Sequence, residues 1–265
     1  MASDTIITSF SNPLVKRVKR LRQKKYRLQE GVFFVEGLRG VLTAVETHAP
    51  IETLITCPEL LASPVAQAML AQTSLPQVAL SRPVFESISE RENPVGLAAI
   101  IKTGWTQLNE LVVRPDSIFV ALFDASDPGN LGTIVRTMDA VGAAGLVLVG
   151  QGVDPFHGTA VKASMGTLFT VPIGHTPDAD SLFQWAQQQQ IQTIATSARG
   201  TADFQHAPYH LPALLLLGSE REGLPAAILA QADLQVAIPM HGTASSLNVA
   251  VSAGILLYTL RHRWQ

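Results

Sequence analysis

The sequence predicts an α/β protein built in two units, and three observations carry that prediction. Short strand-like apolar runs alternate with helical stretches along most of the chain. One run, SIFVALFD from Ser117 to Asp124, is apolar without alternation, as a strand buried on both faces of a parallel sheet requires. The stretch KTGWTQLNELVVRPD, Lys102 to Asp116, interrupts the pattern with Gly104 and Pro115. It divides the chain into residues 1–103, a linker over 104–116 and a second unit over 117–265.

The first unit opens with a helix that Pro13 can start, after Ser11 or Asn12 as its cap. GVFFVEG (strand), LRGVLTAVE (helix), ETLITC (strand), PVAQAMLAQ (helix), a short QVAL, a helix from Arg82 and the buried strand VGLAAIIK follow. The second unit starts with SIFVALFD and continues with NLGTIVRTMDAVG (helix), LVLVG (strand), a short helix near Thr159, LFTVPI, the helix DSLFQWAQQQQ, IQTIATS, ALLLLG, the helix PAAILAQ, LQVAIP and a terminal helix. Gln187 to Gln190 reads as the exposed end of a helix.

A chain of 265 residues with 47% hydrophobic content can bury a large core. No apolar run is long enough to span a bilayer, and MASDTIITSF lacks the charged-then-apolar pattern of a secretory signal, so a cytoplasmic protein is expected. Cys57, the one cysteine, stands in a strand-like context and is expected to be a buried apolar thiol. The seven histidines show no HExxH spacing, and Pro208 separates His206 from His210, so no metal site is expected.

The net charge of -2 hides a strong asymmetry. Eight of the twelve residues from Lys16 to Arg27 are basic (Lys16, Arg17, Lys19, Arg20, Arg22, Lys24, Lys25 and Arg27) and none is acidic. Leu14, Val18, Leu21 and Leu28 give the same segment an apolar stripe, so it reads as one amphipathic helix. Such a helix can simply be solvated on its basic face, or offer that face to phosphates. Nucleic acid is favoured over a membrane surface, because the stripe is needed for packing and carries no large aromatics.

In an open parallel sheet, ligands collect beyond the carboxyl ends of the strands. Three loops there are rich in polar and flexible residues. DASDPGNLGTIVR has a turn at Asp124 to Gly129, Asn130 as a candidate cap, and Arg136 nearly two turns into the helix. GSEREGLP has Gly218 and Gly223, which let backbone approach a ligand, with Glu220 or Glu222 able to point inward. IPMHGTASSLNVAVSAGILLY, from Ile238 to Tyr258, runs from a loop with Thr243, Ser245, Ser246 and Asn248 into an apolar helix. Ser246 there could cap the helix or contact a ligand. GQG at Gly150 to Gly152 fails as a dinucleotide fingerprint, since Pro155 stands where the third glycine belongs.

DPGNLGTIVR, LLLGSEREGLP and IPMHGTASSLNVAVSAGI, in this order, closely resemble the three motifs of the SpoU/TrmH family of RNA ribose 2′-O-methyltransferases, in the SPOUT superfamily. The first hundred residues are similar in organisation to the L30e-like RNA-binding domain that often precedes that catalytic domain. The resemblance implies a parallel-sheet domain with a trefoil-knotted C-terminal part, an exception to the avoidance of knots. It implies S-adenosylmethionine held near Thr196, Ser197, Ala198, Gly218, Ser219, Gly223, Ile238, Met240, Ser246 and Leu247. It also implies a homodimer and a polar catalytic set of Asn130, Arg136, Glu220, Ser246 and Asn248. The implied reaction is methyl transfer to a ribose 2′-hydroxyl of structured RNA, ribosomal RNA before transfer RNA. Two departures stand out: Ser219 where the family commonly has Asn, and Ala250 where it commonly has Ser. Ala250 leaves open a second expectation, a non-catalytic RNA-binding factor that keeps the fold.

Overall fold

The structure is a computed structural model and describes residues 6–197, 200 and 202–262. The chain forms two compact units. One comprises the N-terminal residues to Thr103 together with Asp154–Phe169; the other comprises Gly104–Val153 and the residues from Thr170 onward.

The first unit contains α1 (Pro13–Leu21), α2 (Lys24–Glu30), β1 (Val32–Glu36), α3 (Leu38–Glu46), β2 (Ile51–Thr56), α4 (Pro64–Gln72), β3 (Gln77–Ala79), α5 (Arg82–Ile88) and β4 (Leu97–Lys102). Its four strands run in the order β1-β4-β2-β3, with β4 antiparallel to both neighbours and β3 parallel to β2. Val15, Val18 and Leu21 of α1 pack with Val84, Phe85 and Ile88 of α5 and with Ile55 and Ile100 of the sheet. Cys57 lies fully buried in the same core, as expected, and burial pushes its thiol pKa up.

The basic segment is two helices where one is expected. A turn at Arg22 and Gln23 separates them, the Gln23 amide donating to the Arg20 carbonyl at 3.0 Å. The stripe therefore ends at Leu21, and Leu28 is 68% exposed. The reason is Arg27. Its guanidinium donates to the carbonyls of Leu21 and Arg22 at 2.7 and 2.8 Å, satisfying groups that the end of α1 leaves free. It also bonds Asp154 at 2.6 Å. Asp154 comes from a later excursion of the chain, Asp154–Phe169, that carries α7 (Gly158–Ser164) and stacks Phe156 and Phe169 near Phe33.

The second unit contains β5 (Ile118–Phe123), α6 (Pro128–Ala140), β6 (Gly145–Val149), β7 (Ile173–Thr176), α8 (Ala179–Gln188), β8 (Gln192–Thr196), β9 (Ala202–Asp203), β10 (Ala213–Leu217), α9 (Ala226–Gln231), β11 (Leu234–Ala237) and α10 (Val249–His262). Among the described residues every strand pair of this sheet is parallel, in the order β7-β6-β5-β10-β8-β11-β9. β5, β6 and β10 are buried along their whole length, which accounts for their unbroken apolar sequences. Phe119, Ala121 and Phe123 of β5 face a core shared with Leu182, Phe183 and Trp185 of α8 and Ile228 of α9. α10 packs against α6 and β5.

The stretch expected as a linker is packed rather than bare. Thr106 bridges to Gly174, Leu108–Glu110 form a 3-10 turn, and Leu111 is buried against Phe119. LFTVPI is also shifted: the strand begins at Ile173, with a 3-10 turn over Thr167–Phe169 before it.

Candidate active site

Strand order decides where a site can form. From β5 the sheet continues through β6 and β7 to one edge, while β10, β8 and β11 lie on the other side. Loops leaving the carboxyl ends of β5 and β10 therefore diverge from a switch point, the position at which open parallel sheets hold ligands. A cavity of about 620 Å³ opens there, within the usual range for small-molecule sites. It is lined by Thr196 and Ser197 at the end of β8, residues 217–224 around the loop after β10, and residues 238, 240 and 245–249 after β11.

Each loop is held by its own local chemistry. Asp127 caps α6, its carboxylate accepting the Asn130 amide at 2.9 Å, with Pro128 opening the helix. Asn130, expected as the cap, instead lies in the first turn with its side chain released for other partners. In the second loop the Gly223 amide donates to the Ser219 carbonyl at 3.0 Å and closes a tight ring. Gly223 has φ +70°, and a Cβ on Gly218 would come within 2.0 Å of the Gly223 carbonyl carbon. Both positions need glycine, one for its backbone angle and one for space. In the third loop Asn248, not Ser246, caps α10: its Oδ1 accepts the Ala250 amide at 2.8 Å and its carbonyl accepts the Ser252 amide at 3.0 Å.

The three loops meet in one hydrogen-bond chain. Asn248 Nδ2 donates to Asn130 Oδ1 at 2.9 Å, and Asn130 Nδ2 donates to Glu220 Oε1 at 3.1 Å. Ser126 adds its hydroxyl and amide to Glu220 Oε2 at 3.1 and 3.4 Å. Burial acts to raise the Glu220 pKa, but the donors from Asn130, Ser126 and the loop amide outweigh it, so the carboxyl is held below its usual range. Glu220 is thus an ionised acceptor at neutral pH. Because it can only accept, it takes the Nδ2 end of Asn130 and leaves Oδ1 to accept from Asn248, which fixes which way both Asn side chains face.

Of the residues expected around the cavity, Thr196, Ser197, Gly218, Ser219, Gly223, Ile238, Met240, Ser246 and Leu247 line it. Ala198 lies outside the described residues. Glu220 and Asn248 reach its edge, and Asn130 joins them through the bonds above. Arg136 does not join them: it is exposed on α6 and is not among the cavity-lining residues. Sequence reasoning missed Ser126 and Arg221. A lone loop serine carries no signal, and Arg221, the one Lys or Arg lining the cavity among the described residues, stands inside GSEREGLP but was passed over for its neighbours Glu220 and Glu222. Ala250 is buried, and its amide is already satisfied by Asn248, so the cap forms without a hydroxyl at 250.

The basic segment needs correction residue by residue. Arg27 is 3% exposed and bound to Asp154 and two carbonyls, so it is a structural pin and not a surface contact for RNA. Arg17 is held by Glu30 and Glu52, which raises its pKa and lowers that of Glu52. Arg22 pairs with Glu90 at 3.0 Å and reaches the carbonyls of Ile88 and Ser89. Lys16, Arg20, Lys24 and Lys25 are exposed and Lys19 is half-buried. Among the described residues no helix is long and apolar enough to cross a membrane, and no group of three or more His, Cys, Asp or Glu could hold a metal ion.

Comparison with known proteins gives two family matches. Residues 117–258 match the SpoU rRNA Methylase family, and residues 12–99 match the MRM3-like substrate binding domain. The chain is 32% identical over 244 residues to the 23S rRNA (uridine(2479)-2′-O)-methyltransferase of Streptomyces viridochromogenes, covering 90% of this chain and 85% of that one. It is 31% identical over 256 residues to a 23S rRNA (guanosine(2553)-2′-O)-methyltransferase of Bacillus subtilis, covering 96% and 98%. The solved structure of an AdoMet-bound rRNA methyltransferase from Sinorhizobium meliloti superposes with a TM-score of 0.90 at 34% identity, covering 98% of both chains.

Proposed function

The chain belongs to the SpoU rRNA methylase family, and from that membership we propose that it transfers the methyl group of S-adenosylmethionine to a ribose 2′-hydroxyl of ribosomal RNA. The observation that carries this reading is the hydrogen-bond chain Asn248–Asn130–Glu220, which joins three separate loops at the rim of one cavity.

The residues present suit the cofactor. The cavity volume of about 620 Å³ accommodates a nucleoside-sized ligand, apolar walls from Leu217, Val236 and Leu256 suit an adenine ring, and Gly218 and Ser246 leave backbone accessible. When bound, S-adenosylmethionine supplies an electrophilic methyl group on a cationic sulfur. The buried side chains of Leu217 and Leu256 would limit water around that charge, which would favour its loss in the transition state. Thr196, Ser197, Ile238 and Met240 hold and shape the ligand, with Ser219 beside them.

Glu220, kept ionised, orients Asn130, and Asn130 orients Asn248, so that polar groups at the rim are fixed before RNA arrives. Asn248 and Ser246 hold the target nucleotide or the cofactor. Arg136 serves as a cationic clamp on the neighbouring phosphate and a stabiliser of the developing alkoxide, its planar fork of donors matching phosphate oxygens. Because Arg136 stands outside the cavity within one chain, the bound RNA and a second copy of the chain complete the site around it. The homodimer places the exposed side of α10, with Val251 at 50% and Tyr258 at 56% exposure, at its interface. The loops after β8, β10 and β11 form the trefoil knot, and Lys16, Lys19, Arg20, Lys24 and Lys25 dock the RNA in the cytoplasm. Incubating the protein with labelled S-adenosylmethionine and ribosomal or transfer RNA tests the reading: 2′-O-methyl label is expected in ribosomal RNA, and no label in either would overturn it.

A further inference from the structure

We propose that Arg20 and Tyr26 form a stacking site for an unpaired nucleobase, so that the N-terminal unit recognises a single-stranded part of its RNA rather than a duplex. The inference rests on the RNA-docking role of the basic segment proposed above and specifies what that segment reads.

The site exists because the segment is bent. An unbroken helix would put Arg20 and Tyr26 six positions apart, more than a turn and a half along the axis and on different faces. The turn at Arg22 and Gln23 folds α2 back, and the Arg20 guanidinium carbon comes to rest 4.1 Å from the centre of the Tyr26 ring. Lys25 stands 6.0 Å from the same ring. The turn is tied in place by the buried Arg27, which links the carbonyls of Leu21 and Arg22 to Asp154.

A guanidinium lying on an aromatic ring loses little further freedom when it binds, and its outer plane is weakly hydrated. That plane is a surface on which a nucleobase stacks, as unpaired RNA bases do on arginine. Arg20 is exposed, so its outer side is open to such a base. Lys24 and Lys25 at the start of α2 supply positive charge for the flanking phosphates. A duplex offers no free base face, so it can use the charges but not the stack. The division of the cluster supports this: Arg17, Arg22 and Arg27 are engaged by carboxylates, whereas Arg20 is engaged by a ring, which leaves its charge uncompensated.

The test uses the full chain and two RNA probes of equal charge, an unpaired oligouridylate and a hairpin duplex, with binding followed by fluorescence anisotropy. Arg20→Lys keeps the charge and removes the plane; Tyr26→Leu removes the support; Tyr26→Phe keeps the ring. Arg20→Lys and Tyr26→Leu are expected to weaken the unpaired probe roughly tenfold, the effect of losing one base stack, while the duplex changes less than twofold and Tyr26→Phe binds as the parent does. Equal weakening of both probes, or of neither, would overturn the stacking site. Lys24→Glu with Lys25→Glu is a separate arm: if that pair leaves both probes bound at full affinity, the docking role of the segment itself fails. Thermal melting of each variant separates loss of binding from loss of fold.

Discussion

Asn248 donates its Nδ2 to Asn130 Oδ1 at 2.9 Å across 118 positions of sequence. Each of these residues has a second duty. Asn248 caps α10 through the Ala250 amide, and Asn130 passes its own Nδ2 to Glu220. The bond therefore couples the start of α6, the ring after β10 and the start of α10.

The first prediction concerns that coupling. Asn130→Ala and Asn248→Ala should each reduce methyl transfer, and the double variant should lose less than the sum of the two. A coupling of about 0.5–1.5 kcal/mol is expected in a double-mutant cycle on kcat. Strict additivity would show that the two side chains act independently.

Glu220 has a folded pKa below its unfolded value, so its ionised form stabilises the loops above the unfolded pKa, and that contribution is lost as pH falls through the folded one. Glu220→Gln should therefore melt lower than the parent near neutral pH, with the gap closing on acidification through the carboxylate range. A gap that widened instead would mean that the carboxyl is protonated in the folded protein.

Gly218→Ala should damage the cavity without dissolving the sheet. A methyl there would collide with the Gly223 backbone at 2.0 Å, and backbone cannot yield as a side-chain tip can. Calorimetry should show loss of S-adenosylmethionine binding, with far-ultraviolet circular dichroism largely kept.

Arg136→Ala should cut kcat by roughly a hundredfold or more and leave S-adenosylmethionine affinity near that of the parent, because Arg136 does not line the cavity. Weaker cofactor binding at unchanged kcat would assign the residue a different part.

Arg27→Met should lower stability rather than act first on RNA. It leaves the Asp154 carboxylate without its guanidinium in a buried place, at a cost of about 3–5 kcal/mol, and frees two carbonyls at the end of α1. The check is the midpoint of urea unfolding, set beside the salt dependence of RNA binding. Charge reversal at Lys16 or Lys24 should do the opposite: the fold stays as stable as the parent, while the slope of log affinity against log salt becomes shallower by about 1 for each phosphate no longer neutralised.

Much of this was legible in the chain. SIFVALFD announced a strand buried in a parallel sheet because both its faces must be apolar, LVLVG and ALLLLG were legible as strands, and strand ends announced where a site would lie. Where sequence and structure part, the cause is a local competition that sequence presents as a tie. Asp127 and Asn130 are both good caps, and Pro128 decides for Asp127; Ser246 and Asn248 are both good caps, and α10 begins at Val249. In the basic segment Leu28 continues the apolar stripe, so the pattern alone favours one helix. Its break depends on Asp154, well over a hundred positions away.

By itself the sequence determined the alternation of strands and helices, the three polar loops, the family and the concentration of positive charge, since each depends on residues close together in the chain. Only the tertiary structure decided which charges face solvent, that the Asp154–Phe169 excursion belongs with the N-terminal unit, and that Arg20 lies on Tyr26. Whether a guanidinium stays free depends on which carboxylate or ring the fold brings within a few ångströms of it, and neighbours that close in space are set by chain topology rather than by nearness in sequence.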